Sequence, residues 1–415
     1  MQGGWCQEQH ELGFNYRLSD IHSALGRSQL ARLDAFVAAR NAIATRYREA
    51  LADVGALTPG PAAPSGKPAC FDIGGRTVGA GAPAYVIAEI GANHNRDLDV
   101  ARRLIDAAVA AGADAVKFQT YDGNRIYSRK TPKFSCLENI SDKSPADLLD
   151  EIALPREWQP ILAEEARARG IAFFSSPFDH EAVDELDAID VPVLKIASFE
   201  IVDLPLIRKA ASTGRPLMIS TGMARLGEVE EALEAAREAG APAVGLMQCT
   251  SVYPAPPERA KLAAMATMRA AFRVPVGLSD HTTGIAVPIA SAALGAAFVE
   301  KHLTLDRQMP GPDHSFAVEP RTLKEMVAGI REAQAAIGDG IKDGPSPEES
   351  GEMYRLGRRS LILTCPLRAG TALSRDMLTV KRPGYGVAPR DLELVIGRTL
   401  RQDVEEDDVL TGEMV

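Results

Sequence analysis

The sequence predicts a (β/α)8 TIM barrel that is followed by a small β-rich domain. Eight short apolar segments alternate with helical segments rich in Ala, Glu and Arg between about residues 83 and 337. Eight strand–helix units in about 255 residues are the expectation for this barrel. A doubly wound open sheet is the alternative, but no GxGxxG turn follows the first predicted strand, which excludes the commonest nucleotide-binding form of that fold.

The predicted elements alternate regularly along the chain. Strands are predicted at Tyr85–Ile90, Ala115–Gln119, Ile171–Ser175, Val193–Ala197, Leu217–Ser220, Val244–Gln248, Val274–Leu278 and Ala297–Lys301. Intervening helices are predicted over Leu98–Ala111, Trp158–Arg169, Glu228–Ala239 and Ile285–Leu294. A glycine follows each of these helices, in the position where a left-handed residue commonly ends a helix: Gly112, Gly170, Gly240 and Gly295.

The chain is predicted to have five segments. Residues 1–57 form a helical piece, and residues 58–79 form a linker rich in Pro and Gly. The barrel spans 80–338, a second linker 339–356, and the β-rich domain 357–415. Within that last domain, Ser360–Thr364 and Leu378–Lys381 are strand-like and are punctuated by Gly, Pro and Asp.

The composition is ordinary for a globular protein and argues against several functional classes. The 415 residues are 46% hydrophobic and 25% charged, and no apolar run is long enough to predict a membrane span. A formal net charge of −10 opposes nucleic-acid binding through a general basic field. The five scattered cysteines form no CxxC pair and the start lacks a secretory signal pattern, so a reducing cytoplasm is expected.

Two histidines close the last two predicted strands. His281 ends Gly277-Leu-Ser-Asp-His281 and His302 ends Val299-Glu-Lys-His302, with acidic residues close to both. Two imidazoles from neighbouring strands, with room for substrate, suit a catalytic divalent metal better than a structural one. The alternative is that both are core histidines that happen to end strands.

Other predicted strands deliver polar groups to the same rim, because the C-terminal ends of barrel strands meet there. Lys117 and Lys195 lie at the ends of two strands, and hydroxyl groups end several others. Charges inside apolar strands are costly unless they are paired or used, so structural salt bridges with Glu89 and Glu300 are one interpretation. Two lysines and several hydroxyls at one mouth favour a phosphate or carboxylate ligand. Together with the histidines, they predict metal-polarised attack on a carbonyl that involves a phosphorylated partner.

An ordered series of motifs in residues 80–415 resembles the sialic-acid synthase family, which includes N-acetylneuraminate, legionaminate and pseudaminate synthases. The motifs are Ile87-Ala-Glu-Ile-Gly-Ala-Asn-His-Asn95, Lys117-Phe-Gln-Thr120, Lys195-Ile-Ala-Ser198, Ile219-Ser-Thr-Gly-Met223, Cys249-Thr-Ser-Val-Tyr-Pro254, Gly277-Leu-Ser-Asp-His281, Glu300-Lys-His302 and Gly311-Pro-Asp313. The segment with Val380-Lys-Arg-Pro-Gly384 and Ile396-Gly397 resembles the antifreeze-like (SAF, β-clip) domain that follows the barrel in that family.

The resemblance implies a phosphoenolpyruvate-dependent transferase that forms a carbon–carbon bond (EC 2.5.1 type). It would condense phosphoenolpyruvate with an N-acetylated mannosamine-type sugar or a 2,4-diacetamido hexose and release phosphate. The implied roles are catalysis by Glu89, His281 and His302, with Mn²⁺ or Mg²⁺ on the two histidines. Phosphoenolpyruvate binding is implied for Lys117, Lys195, Ser176, Ser198, Ser251 and Ser279. Sugar binding is implied for Gln119, Tyr253, Asp313 and Arg382, the last from the partner subunit of a domain-swapped homodimer.

Some residue-level interpretations stay open beside the resemblance. Spacing alone favours Asp313 as a turn residue. For Tyr253, which precedes Pro254, a packing role and a ligand-binding role both stay open. Arg96 stands where the family usually has Gly, at a position where a positive φ is common. Ser251 stands where some members have Asn. Two other functions compete: another phosphoenolpyruvate-dependent 3-deoxy-ulosonate synthase, and a catalytically inactive carbohydrate-binding homologue.

Residues 12–51 do not resemble that family. They look like the carboxyl-side part of a sugar aminotransferase dependent on pyridoxal phosphate. The piece is too short for that fold and lacks a strand-borne lysine for a Schiff base, so no pyridoxal phosphate is expected. Because sugar aminotransferases make 4-amino sugars, this remnant favours a legionaminic- or pseudaminic-type acceptor.

Overall fold

A computed structural model describes residues 69–128, 130–132 and 143–415 of the chain. The chain divides into two compact units between Ala336 and Ile337, and each is treated by itself. The predicted helical piece over residues 1–57 and the first half of the predicted linker, residues 58–68, lie outside the described residues.

The first unit begins with a β-hairpin where a linker was predicted through residue 79. Strands β1 (Cys70–Ile73) and β2 (Arg76–Gly79) pair antiparallel around Gly74 and Gly75, which both have positive φ (60° and 86°). A Gly-Gly pair between two short strands is the sequence signal of such a turn. The linker prediction was therefore wrong for residues 70–79.

The predicted barrel is confirmed. Eight parallel strands form its sheet: β3 (Tyr85–Glu89), β4 (Ala115–Thr120), β5 (Ala172–Pro177), β6 (Leu194–Ile196), β7 (Leu217–Ser220), β8 (Val244–Cys249), β9 (Val276–Asp280) and β10 (Phe298–His302). The hydrogen-bonded order is β5-β4-β3-β10-β9-β8-β7-β6, and β5 packs beside β6, which brings the two ends of the order together. All four strand–helix glycines named above have positive φ, as expected for helix ends.

Helices surround the strands, and several are very short. In the first unit they are α1 (Leu98–Ala111), α2 (Gly123–Ile126), α3 (Pro145–Ile152), α4 (Gln159–Ala168), α5 (His180–Ala188), α6 (Leu204–Ala211), α7 (Leu226–Glu238), α8 (Ala264–Phe272) and α9 (Ala286–Ala293), with α10 (Pro320–Ile337) reaching the boundary. Helix α1 shows how the sequence sets these elements: Asp97 caps its N-terminus by accepting from the Asp99 and Val100 amides, and Gly112 ends it in the left-handed region. Its buried residues recur at helical spacing, so one face covers the strands.

The second unit is small and β-rich, as predicted. It contains α11 (Glu352–Gly357), the antiparallel strands β11 (Ser360–Leu363) and β12 (Leu378–Lys381), and α12 (Leu392–Val395). Its own apolar core includes Leu361, Leu363, Leu373, Leu400 and Leu410.

No helix within the described ranges is long and apolar enough to cross a bilayer. The three cysteines among those residues, Cys70, Cys249 and Cys365, are free thiols. A cytoplasmic location stays a prediction.

Candidate active site

A cavity of about 260 Å³ opens at the C-terminal ends of the barrel strands. Polar groups from nearly every strand line it, because side chains two residues apart on a strand point to the same side. Glu300 and His302 of β10 both face the cavity, while Lys301 between them does not. The polar lining residues are Glu89, Lys117, Gln119, Ser176, Lys195, Ser198, Ser220, Cys249, Tyr253, Ser279, His281, Glu300, His302 and Asp313.

Lys117 lies between two carboxylates on one side of this cavity. Its Nζ is 2.7 Å from Glu89 Oε2 and 3.8 Å from Glu300 Oε1, and it donates to Ser176 Oγ at 3.3 Å. Gln119 Nε2 donates to the other Glu89 oxygen at 2.7 Å. The salt-bridge interpretation of the lysines therefore describes real contacts, but these contacts lie inside an open cavity, where an anionic ligand can compete for the ammonium.

Lys195 is the second lysine beside Glu300. Its Nζ donates to Ser220 Oγ at 2.6 Å and is 3.9 Å from Glu300 Oε1, and Ser279 Oγ donates to the same Glu300 oxygen at 2.9 Å. Burial lowers the pKa of Lys195, even though Glu300 opposes that shift. A bound dianion beside Lys195 would favour its charged form, since an opposite charge at this distance raises a lysine pKa.

Two serines, Ser198 and Ser251, lie close to Gly222. The Gly222 amide donates to Ser198 Oγ at 3.1 Å, and a Cβ on Gly222 would lie 2.7 Å from Ser198 Oγ and closer still to Ser251 Oγ. Ser251 Oγ is buried and has no hydrogen-bond partner. It lines an adjoining cavity of about 760 Å³ instead of the main one. Only glycine leaves room for these two hydroxyls to approach each other.

His281 is held in one tautomer. Its Nδ1 is 2.9 Å from the carbonyl oxygen of Thr250, so Nδ1 carries the proton and donates it, which leaves a lone pair on Nε2. The ring of Tyr253 packs against this imidazole at 4.3 Å between centroids. A backbone carbonyl that fixes the tautomer of a histidine is the usual outer partner of a metal ligand.

His302 is neutral, and one of its ring nitrogens lacks a hydrogen-bond partner. Burial lowers its pKa well below the usual range, and its Nδ1 is buried without a hydrogen-bond partner. Asp313 Oδ2 lies 3.6 Å from that nitrogen, and the His281 ring is 5.4 Å away between centroids. Phe316 packs edge-on against His302 at 5.0 Å. An orphaned imidazole nitrogen that faces a second imidazole and a carboxylate fits a cation.

The charge balance of the cavity also favours a cation. The carboxylates of Glu89, Glu300 and Asp313 contribute −3 when ionised, and Lys117 and Lys195 contribute +2. Burial raises the pKa of Glu89 to about 7, so this carboxyl group can hold or release a proton near neutral pH. An anionic ligand here would add negative charge to a site that is already balanced or negative. No three His, Cys, Asp or Glu side chains within the described ranges form a full ligand set, so a cation on the two histidines would keep open positions for substrate or water.

The predicted site residues mostly converge. All of them except Ser251 and Arg382 line the main cavity; Ser251 lines its neighbour, and Arg382 lies in the second unit, where its Nε donates to the Gly357 carbonyl at 2.7 Å. Asp313, which spacing favoured as a turn residue, faces the cavity. Their roles stay predictions.

Several lining residues were not among the predicted site residues. Ser220 and Glu300 had a signal, since both end predicted strands and Glu300 stands two residues before His302. Leu149 and Ile152 had none, because they lie on α3 in the connection between β4 and β5. Phe316, which packs against His302 without lining the cavity, had none either.

Arg96, which stands in the loop after β3 where the family usually has glycine, has the positive φ expected at that position. Arg96 has φ 52°, and Asn95 before it has φ 51°. The Arg96 guanidinium donates to the Asp150 carbonyl of α3 at 2.7 Å. The arginine thus takes the left-handed conformation that glycine adopts without strain, and it ties α3 to the loop.

Three family models match the sequence. The NeuB family matches residues 104–342, and the SAF domain matches residues 358–415. The DegT/DnrJ/EryC1/StrS aminotransferase family matches residues 2–74, which agrees with the aminotransferase resemblance noted for that region.

Known proteins resemble the chain over most of their own length. It is 39% identical over 329 residues to the N,N'-diacetyllegionaminic acid synthase of Campylobacter jejuni, covering 78% of this chain and 98% of that protein. It is 35% identical over 319 residues to the pseudaminic acid synthase of Helicobacter pylori, covering 76% and 93%. Among solved structures, the citrate complex of the N-acetylneuraminic acid (sialic acid) synthetase from Leptospira borgpetersenii superposes with a TM-score of 0.62 at 32% identity, covering 69% of this chain and 96% of that one.

Proposed function

The chain belongs to the NeuB family, and from that membership we infer its activity: it is a nonulosonic (sialic-type) acid synthase. It condenses phosphoenolpyruvate with an N-acylated amino sugar and releases phosphate. The observation that carries this conclusion is the meeting of two lysines, Lys117 and Lys195, with two imidazoles, His281 and His302, in one cavity.

The lysine side of the cavity is proposed to bind phosphoenolpyruvate. Lys117 and Lys195 supply two ammonium groups, 3.8 and 3.9 Å from the same Glu300 oxygen. Ser176 and Ser220 accept from the two ammonium groups, and Ser279 donates to that same Glu300 oxygen. Ser198 of the same cavity and Ser251 of the adjoining one are proposed to add further hydroxyl groups. Donors fixed on strands orient a multiply charged substrate before reaction, which removes part of the entropic barrier.

The histidine side is proposed to hold a divalent cation, Mn²⁺ or Mg²⁺, on His281 and His302. Such a cation supplies Lewis-acid polarisation of the aldehyde oxygen of the open-chain sugar. Gln119, Tyr253 and Asp313 lie around the same space and are proposed to orient the sugar.

Glu89 is proposed as the group that transfers protons during the reaction. The enol carbon of phosphoenolpyruvate bonds to the sugar aldehyde carbon, and the aldehyde oxygen gains a proton. Water adds to the resulting cationic carbon and loses a proton, which leaves a hydroxyl group there. The carbon–oxygen bond to phosphate then breaks, the hydroxyl oxygen becomes the keto oxygen, and its proton leaves with the phosphate. Glu89, whose pKa is about 7 because of burial, lies between Lys117 and Gln119 and is proposed to move a proton in this sequence.

The acceptor is proposed to be a 2,4-diacetamido hexose. Tyr121, Leu149, Ile152 and Pro312 line the cavity with apolar surface, which suits the methyl groups of two acetamido substituents better than a fully hydroxylated sugar. The N,N'-diacetyl name of the Campylobacter relative supports this choice.

We expect phosphate release from phosphoenolpyruvate and Mn²⁺ to be fastest with a 2,4-diacetamido sugar, slower with N-acetylmannosamine, and absent with arabinose 5-phosphate. A continuous phosphate assay with the three acceptors measures this. Turnover with arabinose 5-phosphate alone would favour a different 3-deoxy-ulosonate synthase. Bound metal without turnover of any acceptor would favour a carbohydrate-binding homologue.

A homodimer that shares the site is also proposed. Apolar side chains stand exposed in the segments that follow β6 and β7, among them Phe199 (57%), Val202 (63%) and Met223 (65%), and exposed apolar patches often mark protein interfaces.

Arg382 of the partner subunit is proposed to contact the acyl group of the sugar. We expect Arg382→Ala to raise the KM of the sugar about tenfold, with the KM of phosphoenolpyruvate unchanged, while Arg368→Ala, an exposed control, changes neither. Light scattering measures the mass of the wild-type protein and tests the homodimer, and steady-state kinetics tests the role of Arg382. A monomeric wild type, together with unchanged kinetics in Arg382→Ala, would contradict both claims.

A further inference from the structure

Lys301 and Asp280 form a buried ion pair that the proposed chemistry does not use. Lys301 Nζ lies 2.5 Å from Asp280 Oδ2, and the two side chains are 0% and 1% exposed. The residues stand opposite each other on β10 and β9. Neither lines the cavity, because their neighbours His281 and His302 point to the cavity side of the strands and they point away.

The Lys301 ammonium contacts the residues on both sides of His281. Besides Asp280, it donates to the carbonyl oxygen of Thr282. Asp280 in turn accepts from the Thr282 amide at 3.1 Å and from the Thr282 hydroxyl at 3.0 Å. The residue before His281 and the residue after it are therefore tied to one charged group.

That same charged group belongs to the residue before His302. The segments that carry the two imidazoles are thus joined through Lys301, in a dry region where charge-assisted hydrogen bonds are short and directional. A buried ion pair is weak evidence for stability, since apolar residues of similar volume often replace one without loss. Its position directly behind both histidines points to a role in orienting them.

We propose that the Lys301–Asp280 pair is a positioning element that sets the spacing and direction of the His281 and His302 imidazoles for a divalent cation. This inference rests on the proposed metal-binding role of the two histidines. Groups behind the direct ligands orient those ligands, and their loss typically weakens metal binding about 10- to 100-fold.

The test uses the double variant Asp280→Asn/Lys301→Met, which removes both charges at similar volume and leaves no unpaired buried charge. Mn²⁺ binding to the full-length, substrate-free protein is titrated by electron paramagnetic resonance. The expected result is a Kd raised about 10- to 100-fold in a protein whose circular dichroism is unchanged. Arg331→Met is the matched control, since it breaks an ion pair to Asp114 (2.9 Å) away from the cavity; it should lower Tm and leave the Kd unchanged.

Thr282→Val is the milder second variant, for the case that the double variant does not fold. It removes one hydrogen bond to Asp280 and keeps the ion pair, so a Kd raised several-fold is expected. Wild-type Mn²⁺ affinity in a folded double variant, or in Thr282→Val if the double variant is unfolded, would overturn the positioning role. Failure of the wild type to bind Mn²⁺ would instead overturn the proposed metal site, and the positioning role with it.

Discussion

Alanine at position 281 is expected to abolish metal-dependent turnover. His281 donates from Nδ1 to the Thr250 carbonyl, so its Nε2 is the nitrogen left to bind a metal. The ring lies 5.4 Å from the ring of His302 between centroids, and His302 Nδ1 has no hydrogen-bond partner. With one imidazole gone, the cation loses half of its protein ligands and the aldehyde is no longer polarised. We expect kcat/KM to fall at least about 1,000-fold, which corresponds to about 4 kcal/mol of transition-state stabilisation.

The measurement is the initial rate of phosphate release at saturating Mn²⁺, taken over a range of concentrations of each substrate so that kcat/KM is obtained. His180→Ala is the control, because His180 is exposed at the start of α5 and should leave the rate unchanged. Undiminished activity in His281→Ala would contradict the assignment of the histidine pair.

Replacing Lys117 with methionine is expected to remove phosphoenolpyruvate binding. Lys117 is 3% exposed, and its ammonium group lies beside Glu89, Glu300 and Ser176. Its loss takes away one charge-assisted contact to the substrate and leaves two buried carboxylates to repel it. We expect kcat/KM for phosphoenolpyruvate to fall about 100- to 1,000-fold, with a loss of stability of about 3 kcal/mol because a buried pair is broken.

The kinetic and thermal effects are separable. Kinetics are measured below the Tm of the variant, with Lys324→Met as control because Lys324 is exposed on α10. An unchanged KM for phosphoenolpyruvate in folded Lys117→Met would mean that the lysine serves only the structural salt bridge with Glu89.

The barrel was predictable from local sequence signals. Buried parallel strands appear as short apolar runs, and Gly112, Gly170, Gly240 and Gly295 take the positive φ that ends their helices. Strand-end residues such as Lys117 and His302 were predictable as neighbours for the same reason, since the fold brings all strand ends to one rim.

Residues that reach the site through loops were not predictable. Phe316 contacts both histidines and Ile152 lines the cavity, but their positions depend on long loop paths that no local pattern specifies. Ser251 follows a strand end and was therefore predicted to lie in the main site, but it lines the adjoining cavity. The hairpin at residues 70–79 was missed because two four-residue strands are too short to show a periodic pattern, although Gly74-Gly75 marked its turn.

The central claim is a two-substrate site with a cation on one side and phosphoenolpyruvate on the other. Crystals grown with Mn²⁺ and phosphoenolpyruvate, and measured at the manganese absorption edge, test it most directly. The claim predicts one anomalous peak in contact with both His281 and His302, and phosphate density against Lys117 and Lys195. A manganese peak away from the two histidines, or phosphate bound outside the lysine pair, would contradict it.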